Sequence, residues 1–334
     1  MRYIIYGAGG IGGAIGGRLA LSGRDVVLIT RGAHLTAIQH DGLLLRTPDG
    51  DHRLPIAAAG HPRELDFRDG DVVFLTMKTQ DTEPALRDLE RAAGTRVPVI
   101  CAQNGVENER LASRRFANVH AMLVALPATF LVPGEVIASA APLTGALHCG
   151  RFPDGTDAVI EAVAADLRAS NFLCDAVPDA MRFKYRKLMF NLGNALELLT
   201  DGLAWGATGA LGELSAKLRD EAATCFRAAG LPVMSAEEYA ERVQAHYRPV
   251  PVAGEARSGS STRQSVMRGH TTVEVDYLNG EIELLGRLYG VPTPCNTVVR
   301  REAVLAAAGG PAASERTIED ILRLIEEERQ LAPA

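Results

Sequence analysis

The chain has 334 residues, of which 47% are hydrophobic and 5% aromatic. This length and composition suit two packed domains and exclude a disordered or fibrous protein. The formal net charge is −6 and the sequence contains no basic run, so nucleic acid and anionic membranes are not expected as partners, and small molecules or another protein are.

The cysteines and the histidines predict neither a disulfide scaffold nor a metal site. The five cysteines are odd in number, widely spaced and free of any Cys-x-x-Cys pair, and the eight histidines form no His-Glu-x-x-His spacing. Reduced thiols of this kind are typical of a cytosolic protein. Arg18 and many glycines interrupt the first apolar stretch, which therefore does not resemble a signal peptide. The sequence contains no run of about eighteen apolar residues, so no membrane span is predicted. We expect a cytoplasmic protein.

A strand, a glycine-rich turn and a helix open the chain. Residues 3–6 are apolar and aromatic, a Gly-Ala-Gly-Gly-Ile-Gly turn follows, and a helix is predicted as far as Leu21. This order suits a dinucleotide pyrophosphate, which the N-terminus of the helix would bind through unpaired N–H groups. A glycine-rich turn without a ligand is the alternative. The residues expected to contact the cofactor here are Gly7, Gly9, Gly10, Ile11 and Gly12.

The end of the second predicted strand indicates which dinucleotide binds. Residues 25–29 form an apolar run that ends in Thr30 and Arg31, where NAD-binding proteins usually place a carboxylate for the ribose 2′-hydroxyl. A guanidinium instead suits a 2′-phosphate. Thr30 and Arg31 therefore favour NADP over NAD, with a solvated arginine as the alternative.

Further strand-like runs predict a parallel sheet with polar clusters along one edge. The runs cover residues 72–76, 97–101 and 119–126, with helical or turn segments between them, which is typical of βα alternation. Ligands of such sheets lie beyond the carboxyl ends of the strands. There we expect cofactor contacts from Lys78 and Gln80, and a contact from Asn104, although Lys78 alone would fit an ordinary surface lysine equally well.

The second half of the sequence is predicted to be helical. Short strand signals at 127–152 suggest a meander that closes the sheet, residues 158–169 read as a helix, and 172–177 as a last strand. We place a domain boundary after residue 177, which gives domains 1–177 and 178–334. The predicted helices of the second domain cover 181–200, 212–229, 235–247, 273–289, 295–308 and 317–330, with a Pro/Gly/Ser-rich loop at 248–262.

One helix of the second domain carries a polar stripe. At about 100° per residue, Lys187, Asn191 and Asn194 fall within roughly 60° of one another. A solvated lysine is the usual alternative, but asparagine is disfavoured in mid-helix, and two of them beside a lysine favour function. Lys184 lies about 60° from Lys187 on the other side, and helical spacing alone does not decide between the two lysines.

These motifs together resemble the ketopantoate reductase (2-dehydropantoate 2-reductase) family over nearly the whole chain. The likeness rests on the first glycine turn, Lys-Thr-Gln at 78–80, Gln-Asn-Gly at 103–105, the aromatic-x-Lys-Leu-x-x-Asn helix, and a late Ser-Ser-x-x-Gln at 260–264 followed by Glu-Val-Asp-Tyr-Leu-Asn-Gly at 274–280. The resemblance implies an α/β fold, with an N-terminal Rossmann-type doubly wound sheet followed by an all-helical C-terminal domain. It further implies the NADPH-dependent reduction of a 2-keto acid to a 2-hydroxy acid, most simply of 2-dehydropantoate to pantoate.

The same resemblance implies roles for individual residues. Lys187, rather than Lys184, is similar to the family's general acid, and we assign Lys187 and Glu274 as catalytic. Asn104, Asn191, Asn194 and Ser261 are the expected substrate-binding residues.

Local sequence leaves alternatives for two of these assignments. Thr271 and Glu274 have capping-box spacing, so the carboxylate of Glu274 could instead cap a helix. Ser261 lies in a loop whose composition is that of an exposed surface segment.

The sequence departs from the family pattern on the substrate side. Tyr185 replaces the usual tryptophan, Asn194 follows Asn191 by three residues where four are usual, and one extra residue separates Ser261 from Glu274. A related oxidoreductase with another keto or imine substrate, or an NADP-binding sensor without catalysis, are the alternatives. The apolar face of the last helix leaves internal packing and a homodimer both open.

Overall fold

The computed structural model of the chain describes residues 1–200, 206–252, 260, 262, 272–309 and 316–331. The chain forms two compact units, one of residues 1–184 and 234–257, and one of residues 185–233 and 258–334. Compactness alone does not test where independently folding domains end, so the division into 1–177 and 178–334 stays a prediction.

The first unit is built around a seven-stranded, mostly parallel sheet. Its strands are β1 (Arg2–Tyr6), β2 (Asp25–Ile29), β5 (Ala57–Ala59), β6 (Asp71–Leu75), β7 (Val99–Cys101), β8 (Val119–Met122) and β12 (Cys149–Arg151). Their order across the sheet is β5-β2-β1-β6-β7-β8-β12, and only β12 is antiparallel to its neighbour among these strands. Two halves that start from adjacent central strands and extend in opposite directions make this a Rossmann-type doubly wound sheet, as predicted.

Helices cover both faces of this sheet. They are α1 (Gly10–Leu21), α2 (Gly32–Asp41), α3 (Thr82–Ala93), α4 (Asn108–Ser113) and α5 (Ala158–Ala169). Side chains of β1 alternate between two hydrophobic cores, with Tyr3 and Ile5 on one face and Ile4 on the other. Apolar runs buried on both faces are typical of parallel sheets, which is why the sequence shows nearly continuous hydrophobic strands here.

A second sheet explains why α1 contains so many glycines. Its strands are β4 (Gly50–Leu54), β3 (Leu43–Thr47), β10 (Glu135–Ala138) and β9 (Ala128–Thr129), in that order. A Cβ on Gly16 would lie 2.8 Å from Leu28 of the central sheet, whereas one on Gly13 would lie 2.6 Å from Val136 of the second sheet. Small residues on two faces of α1 therefore let the helix pack closely between both sheets.

The prediction for residues 127–152 was partly wrong. A meander that closes the central sheet was expected, but β10 pairs with β3, and β11 (Ala140–Pro142) pairs with β13 (Tyr247–Pro249). Only β12 joins the central sheet. The predicted last strand at 172–177 forms isolated bridges and no strand. Both pairings join segments about ninety or more residues apart, and such pairings leave no local pattern in the sequence.

The second unit is helical, as predicted. Helix α6 (Ala180–Asn191) begins in the first unit and continues here, followed by α7 (Leu196–Thr200) and α8 (Gly209–Ala228); α9 (Ala236–Arg242) belongs to the first unit. The second unit continues with α10 (Asn279–Tyr289), α11 (Pro294–Ala307) and α12 (Ile318–Leu331). Ile321 and Ile325 of α12 are buried within the chain. None of the helices in the described part of the chain has the length and apolarity to span a membrane.

One long helix predicted at 181–200 is interrupted. The α-helix ends at Asn191, residues Leu192–Ala195 form a 3₁₀ turn, and α7 follows. Gly193 and Asn194 both have low helix propensity, which accounts for the tightened turn. Likewise, the helix predicted at 235–247 ends at Arg242, and the one predicted at 273–289 is a 3₁₀ turn (Glu274–Tyr277) followed by α10.

Candidate active site

The glycine turn after β1 has the geometry of a phosphate-binding loop. Gly7 has a φ of +106°, and a Cβ on Gly12 would lie 2.4 Å from both the Gly7 carbonyl oxygen and Thr76 Oγ1. The Thr76 hydroxyl also donates a hydrogen bond to that carbonyl, at 2.9 Å. Gly9 is the N-cap of α1, and within the described residues no side chain caps this helix and no carboxylate lies in its first turn. Such an end offers free N–H groups and a positive partial charge to an anion.

A buried histidine supports this loop from behind. His34 Nε2 lies 2.8 Å from the Ala8 carbonyl oxygen, and the Gly134 N–H donates to His34 Nδ1 at 2.8 Å. The two contacts assign the neutral tautomer with the proton on Nε2. Burial lowers the pKa of His34 below its ordinary value, so the ring stays neutral. The Phe130 ring packs on His34, with 4.3 Å between centroids.

The end of β2 places Arg31 in solvent. Its side chain is 82% exposed, and its guanidinium lies 3.7 Å from Asp81, a residue of the 3₁₀ turn Thr79–Asp81 that follows β6. The Thr30 N–H is bonded to the Ala59 carbonyl of β5. The long contact with Asp81 leaves the Arg31 guanidinium able to bind an anion. The Asp81 carboxylate, however, repels any anion that binds there.

A buried hydrogen-bond network joins the two polar clusters after β6 and β7. Gln103 Nε2 donates to the Met77 carbonyl at 2.9 Å and to Thr82 Oγ1 at 2.8 Å. The Thr82 hydroxyl donates to Asn108 Oδ1, and Asn108 Nδ2 donates to Thr79 Oγ1 at 3.1 Å. The sequence prediction that these strand ends share one edge is correct, because neighbouring parallel strands carry both clusters.

Three amide oxygens at this edge are buried without a hydrogen-bond partner in the described part of the chain. They are Gln80 Oε1 and Asn104 Oδ1, and Gln103 Oε1 of the network above is a third. A buried carbonyl oxygen without a partner costs free energy, and a ligand N–H or O–H is the usual means of satisfying it. Gln80 and Asn104 were predicted to contact the cofactor, and Asn104 also the substrate.

The two lysines of α6 lie in different surroundings. Lys184 Nζ is buried and lies 2.5 Å from Glu109 Oε1. It also donates to the carbonyls of Gln103, at 3.0 Å, and Cys101, at 3.4 Å. Lys187 lies one turn further along the helix and is only half-buried. Lys184 is thus surrounded by three protein oxygen atoms, one from a carboxylate and two from backbone carbonyls.

The 3₁₀ turn after α6 aligns the polar stripe more closely than a continuous α-helix would. In a 3₁₀ turn residues three apart eclipse one another, so Asn194 falls beneath Asn191, about 40° from Lys187. Asn191 is buried, and its Nδ2 has no hydrogen-bond partner within the described residues. An unpaired amide N–H₂ beside a lysine suits a carboxylate or hydroxyl of a ligand.

A second buried network holds this turn in place. Asn279 Nδ2 donates to the Leu192 carbonyl at 3.1 Å and to Asn296 Oδ1 at 3.0 Å. Asn296 Nδ2 donates to Glu221 Oε2 at 2.8 Å, and Glu221 accepts the N–H groups of Cys295 and Asn296. The network connects α8, α10 and α11 to the residue that follows Asn191.

Of the remaining predicted site residues, the structure describes Glu274 but not Ser261. Glu274 is buried and begins the 3₁₀ turn after Val273, which is the N-cap. A capping-box glutamate would occupy the third position, so this local structure does not fit that alternative; Thr271 lies outside the described residues. Ser261 also lies outside them, whereas the N–H of neighbouring Ser260 donates to Glu197 at 2.7 Å.

Sequence reasoning missed the residues that support the site. Thr82, Asn108 and Glu109 hold the β7 edge, and Asn296 and Glu221 hold the turn after α6. Buried asparagines in or beside helices were the available signal, because asparagine is disfavoured there without a hydrogen-bonding role. Nothing in the sequence shows which carbonyls they reach. The five cysteines are buried and free, and the described residues contain no cluster of potential metal ligands.

Two family models match successive parts of the chain. The model described as "Ketopantoate reductase PanE/ApbA" matches residues 3–154, and "Ketopantoate reductase PanE/ApbA C terminal" matches residues 179–328. The chain belongs to the ketopantoate reductase family. It is therefore an oxidoreductase that acts on CH–OH groups, in a family of NAD(P)-dependent 2-keto acid reductases.

Known relatives support this membership. A 2-dehydropantoate 2-reductase of Halobacterium salinarum is 26% identical over 307 residues, which cover 88% of this chain and 95% of the relative. The crystal structure of a PanE/ApbA family ketopantoate reductase from Ralstonia eutropha is 26% identical, with a TM-score of 0.77 over 92% of this chain and 99% of that one. D-mandelate dehydrogenase with NADH and anilino(oxo)acetate is 23% identical, with a TM-score of 0.78 over 92% and 99% of the two chains, and shows the shared fold alone.

Proposed function

We propose that this ketopantoate reductase family member reduces 2-dehydropantoate to pantoate with NADPH, and that Lys187 is the general acid. The single observation that carries the proposal is the contrast between the two lysines of α6. Lys184 is buried against Glu109 and two backbone carbonyls, whereas Lys187, on the same stripe as Asn191, is half-buried, which favours Lys187 as the ammonium group that serves a ligand.

The cofactor assignment rests on three features of the first unit. A Cβ on Gly9 would meet no atom closer than 3.9 Å, the N-terminus of α1 has no side-chain cap among the described residues, and the Asn104 Oδ1 lacks a partner there. These features fit a dinucleotide through Gly7, Gly9, Gly10, Ile11 and Gly12, with Lys78 and Gln80 as further contacts. Arg31 and Thr30, in place of a carboxylate, favour the 2′-phosphate of NADP.

The chemistry required of the protein is charge stabilisation and proton transfer. When bound, the nicotinamide supplies a hydride to the carbonyl carbon of the keto acid. Negative charge then develops on the carbonyl oxygen, where the Lys187 ammonium donates a hydrogen bond and then a proton. Lys187 is left neutral and regains its proton from solvent.

The remaining residues orient the substrate. The Nδ2 of Asn191, which has no partner among the described residues, donates to the substrate, and Asn194 and Ser261 provide further polar contacts. The Glu274 carboxylate accepts a hydrogen bond from a substrate hydroxyl. Holding the keto acid in one pose lowers the entropic part of the barrier.

Another 2-keto acid is the second candidate substrate. Tyr185 replaces the family's tryptophan, and its ring packs on Phe226 with 5.3 Å between centroids, so the surroundings of the stripe differ from the family pattern. An imine substrate and a non-catalytic NADP sensor remain the more distant alternatives.

A substrate panel tests the proposal. Purified protein is assayed by NADPH absorbance with 2-dehydropantoate, pyruvate and phenylglyoxylate. A mixture of a keto acid and an amino acid, which forms an imine, is assayed in the same way. We expect the highest kcat/KM with 2-dehydropantoate. A higher value with another keto acid would replace the substrate, and NADPH binding without any turnover would favour the sensor.

A further inference from the structure

Burial of the Lys184–Glu109 ion pair costs desolvation free energy. The side chains are 2% and 0% exposed, so both charges have lost their hydration. Replacing such a pair by apolar residues of similar size is often neutral or stabilising in proteins. Stability alone therefore gives little reason for an ion pair at this place.

The pair acts on one stretch of backbone. Lys184 Nζ donates to the carbonyls of Cys101, the last residue of β7, and Gln103. Glu109 belongs to α4, which begins at Asn108, and Asn108 Nδ2 contacts the Asn104 carbonyl at 3.3 Å. The backbone on both sides of the Asn104 side chain is thus held by groups that belong to, or adjoin, this pair.

Within this segment the side-chain amide oxygens of Gln103 and Asn104 are both unsatisfied, and Asn104 is the residue predicted to contact the bound reactants. Its Oδ1 is buried without a partner in the described part of the chain. An orphaned acceptor keeps its direction only if the backbone beneath it is fixed, since no hydrogen bond of its own holds it. Burial raises the pKa of Glu109, and the ammonium of Lys184 acts in the opposite direction.

We propose that Lys184 and Glu109 form a positioning pair that fixes the Cys101–Gln103 backbone and so aims the Asn104 carboxamide at the bound reactants. The pair does not touch them and is not catalytic. This inference rests on the proposed reductase function.

Removal of both charges separates positioning from folding. Lys184→Met alone leaves a buried carboxylate unpaired and lowers the Tm. Lys184→Met with Glu109→Leu leaves no unpaired charge, so the Tm returns close to that of the wild type. We nevertheless expect kcat/KM for the keto acid to fall roughly tenfold to a hundredfold, since small displacements of a positioning group have effects of this size. If the apolar pair does not fold, Lys184→Gln with Glu109→Gln serves as a neutral pair of similar shape.

A double-mutant cycle with Asn104→Ala tests whether the ion pair affects kcat/KM through Asn104. If the pair acts through Asn104, deleting the pair in the Asn104→Ala protein lowers kcat/KM little further, whereas independent effects multiply. The matched control is the ion pair of Arg182 and Glu238, which also involves α6 but is about one-third exposed. Arg182→Met with Glu238→Leu should leave kcat/KM unchanged.

Two results would overturn the positioning role and leave the proposed function intact. One is a Lys184→Met, Glu109→Leu protein with wild-type kcat/KM. The other is a loss of kcat/KM in that protein that multiplies with the loss caused by Asn104→Ala. A wild-type protein that reduces no keto acid overturns both.

Discussion

Arg31 is the residue on which the choice between NADP and NAD depends. It stands where a carboxylate would bind a ribose 2′-hydroxyl, and it is mostly exposed beside Asp81. A guanidinium bonded to a phosphate is a charge-assisted contact, and such contacts are stronger than neutral ones. Its loss should therefore affect one cofactor and not the other.

We expect Arg31→Ala to raise the Kd of NADPH by about tenfold to a hundredfold, the equivalent of one hydrogen bond to a charged group. The Kd of NADH should stay within about twofold, since NADH lacks the phosphate. Fluorescence titration measures both. As a matched control, Asp81→Asn removes the opposing carboxylate and should tighten NADPH. Equal weakening of both cofactors by Arg31→Ala would contradict the assignment.

Two buried histidines give the first unit a defined pH dependence. His34 and His148 each contact a carbonyl through Nε2 and accept a backbone N–H at Nδ1. Burial lowers the pKa of both below the ordinary 6.5. Between the lowered and the ordinary pKa the unfolded chain binds protons that the folded chain does not, so the free energy of unfolding falls as the pH falls.

Urea unfolding at pH 7.5 and 5.5 should show this loss, at most about 1.4 kcal/mol per pH unit for each histidine. His34→Gln or His148→Gln should lower stability at both pH values and reduce the difference between them. His40, which is 82% exposed, is the control, and His40→Gln should keep the wild-type difference. An unchanged difference in both buried variants would contradict the neutral tautomers.

At the scale of elements, the joint between β1 and α1 depends on close packing. A Cβ on Gly12 would lie 2.4 Å from two oxygen atoms, whereas a Cβ on Gly10 would lie 3.6 Å or more from Ala128. The second distance is ordinary van der Waals contact. Alanine at position 12 therefore introduces a steric clash, whereas alanine at position 10 makes the same change of residue type in the same turn without one.

Gly12→Ala should force α1 away from β1, with a loss of stability of about 1–3 kcal/mol and weaker NADPH binding. Gly10→Ala should keep the wild-type Tm within a few degrees and bind NADPH normally. Thermal unfolding and fluorescence titration of the two variants make the comparison. A stable Gly12→Ala protein with normal NADPH affinity would show that the turn is not the pyrophosphate site.

The sequence predicted those elements whose causes are local. The limits of α1 and α5 and most of β1 and β2 follow from glycine turns, apolar runs and helix-compatible composition. It did not predict the second sheet, because β10 pairs with β3 across the sequence. The break after Asn191 was foreseeable from Gly193 and Asn194, but its anchoring by Asn279 depends on tertiary contacts.

The candidate site was predictable to a similar extent. Strand ends showed which polar clusters share an edge, and family resemblance selected Lys187 over Lys184. The observation that supports the proposed choice, the three oxygen atoms around Lys184, lies in contacts between segments about eighty residues apart. Such contacts determine whether a lysine is structural or reactive, and no spacing rule contains them.

At the scale of the whole molecule, the proposed cofactor contacts and the polar stripe belong to different compact units. The first carries the dinucleotide-binding features, and the second carries Lys187, Asn191 and Glu274. Variants in the first unit should therefore change cofactor affinity, and variants of the polar stripe should change turnover. This separation gives the account its most direct test.

That test is the behaviour of Lys187→Ala. We predict an NADPH Kd within about twofold of the wild type and a kcat lower by about a hundredfold to ten-thousandfold, the range for loss of a general acid. Steady-state reduction of the best keto acid, with NADPH titration on the same preparation, measures both quantities. A kcat within a few-fold of the wild type, at unchanged NADPH affinity, would contradict the role of Lys187 as the proton donor.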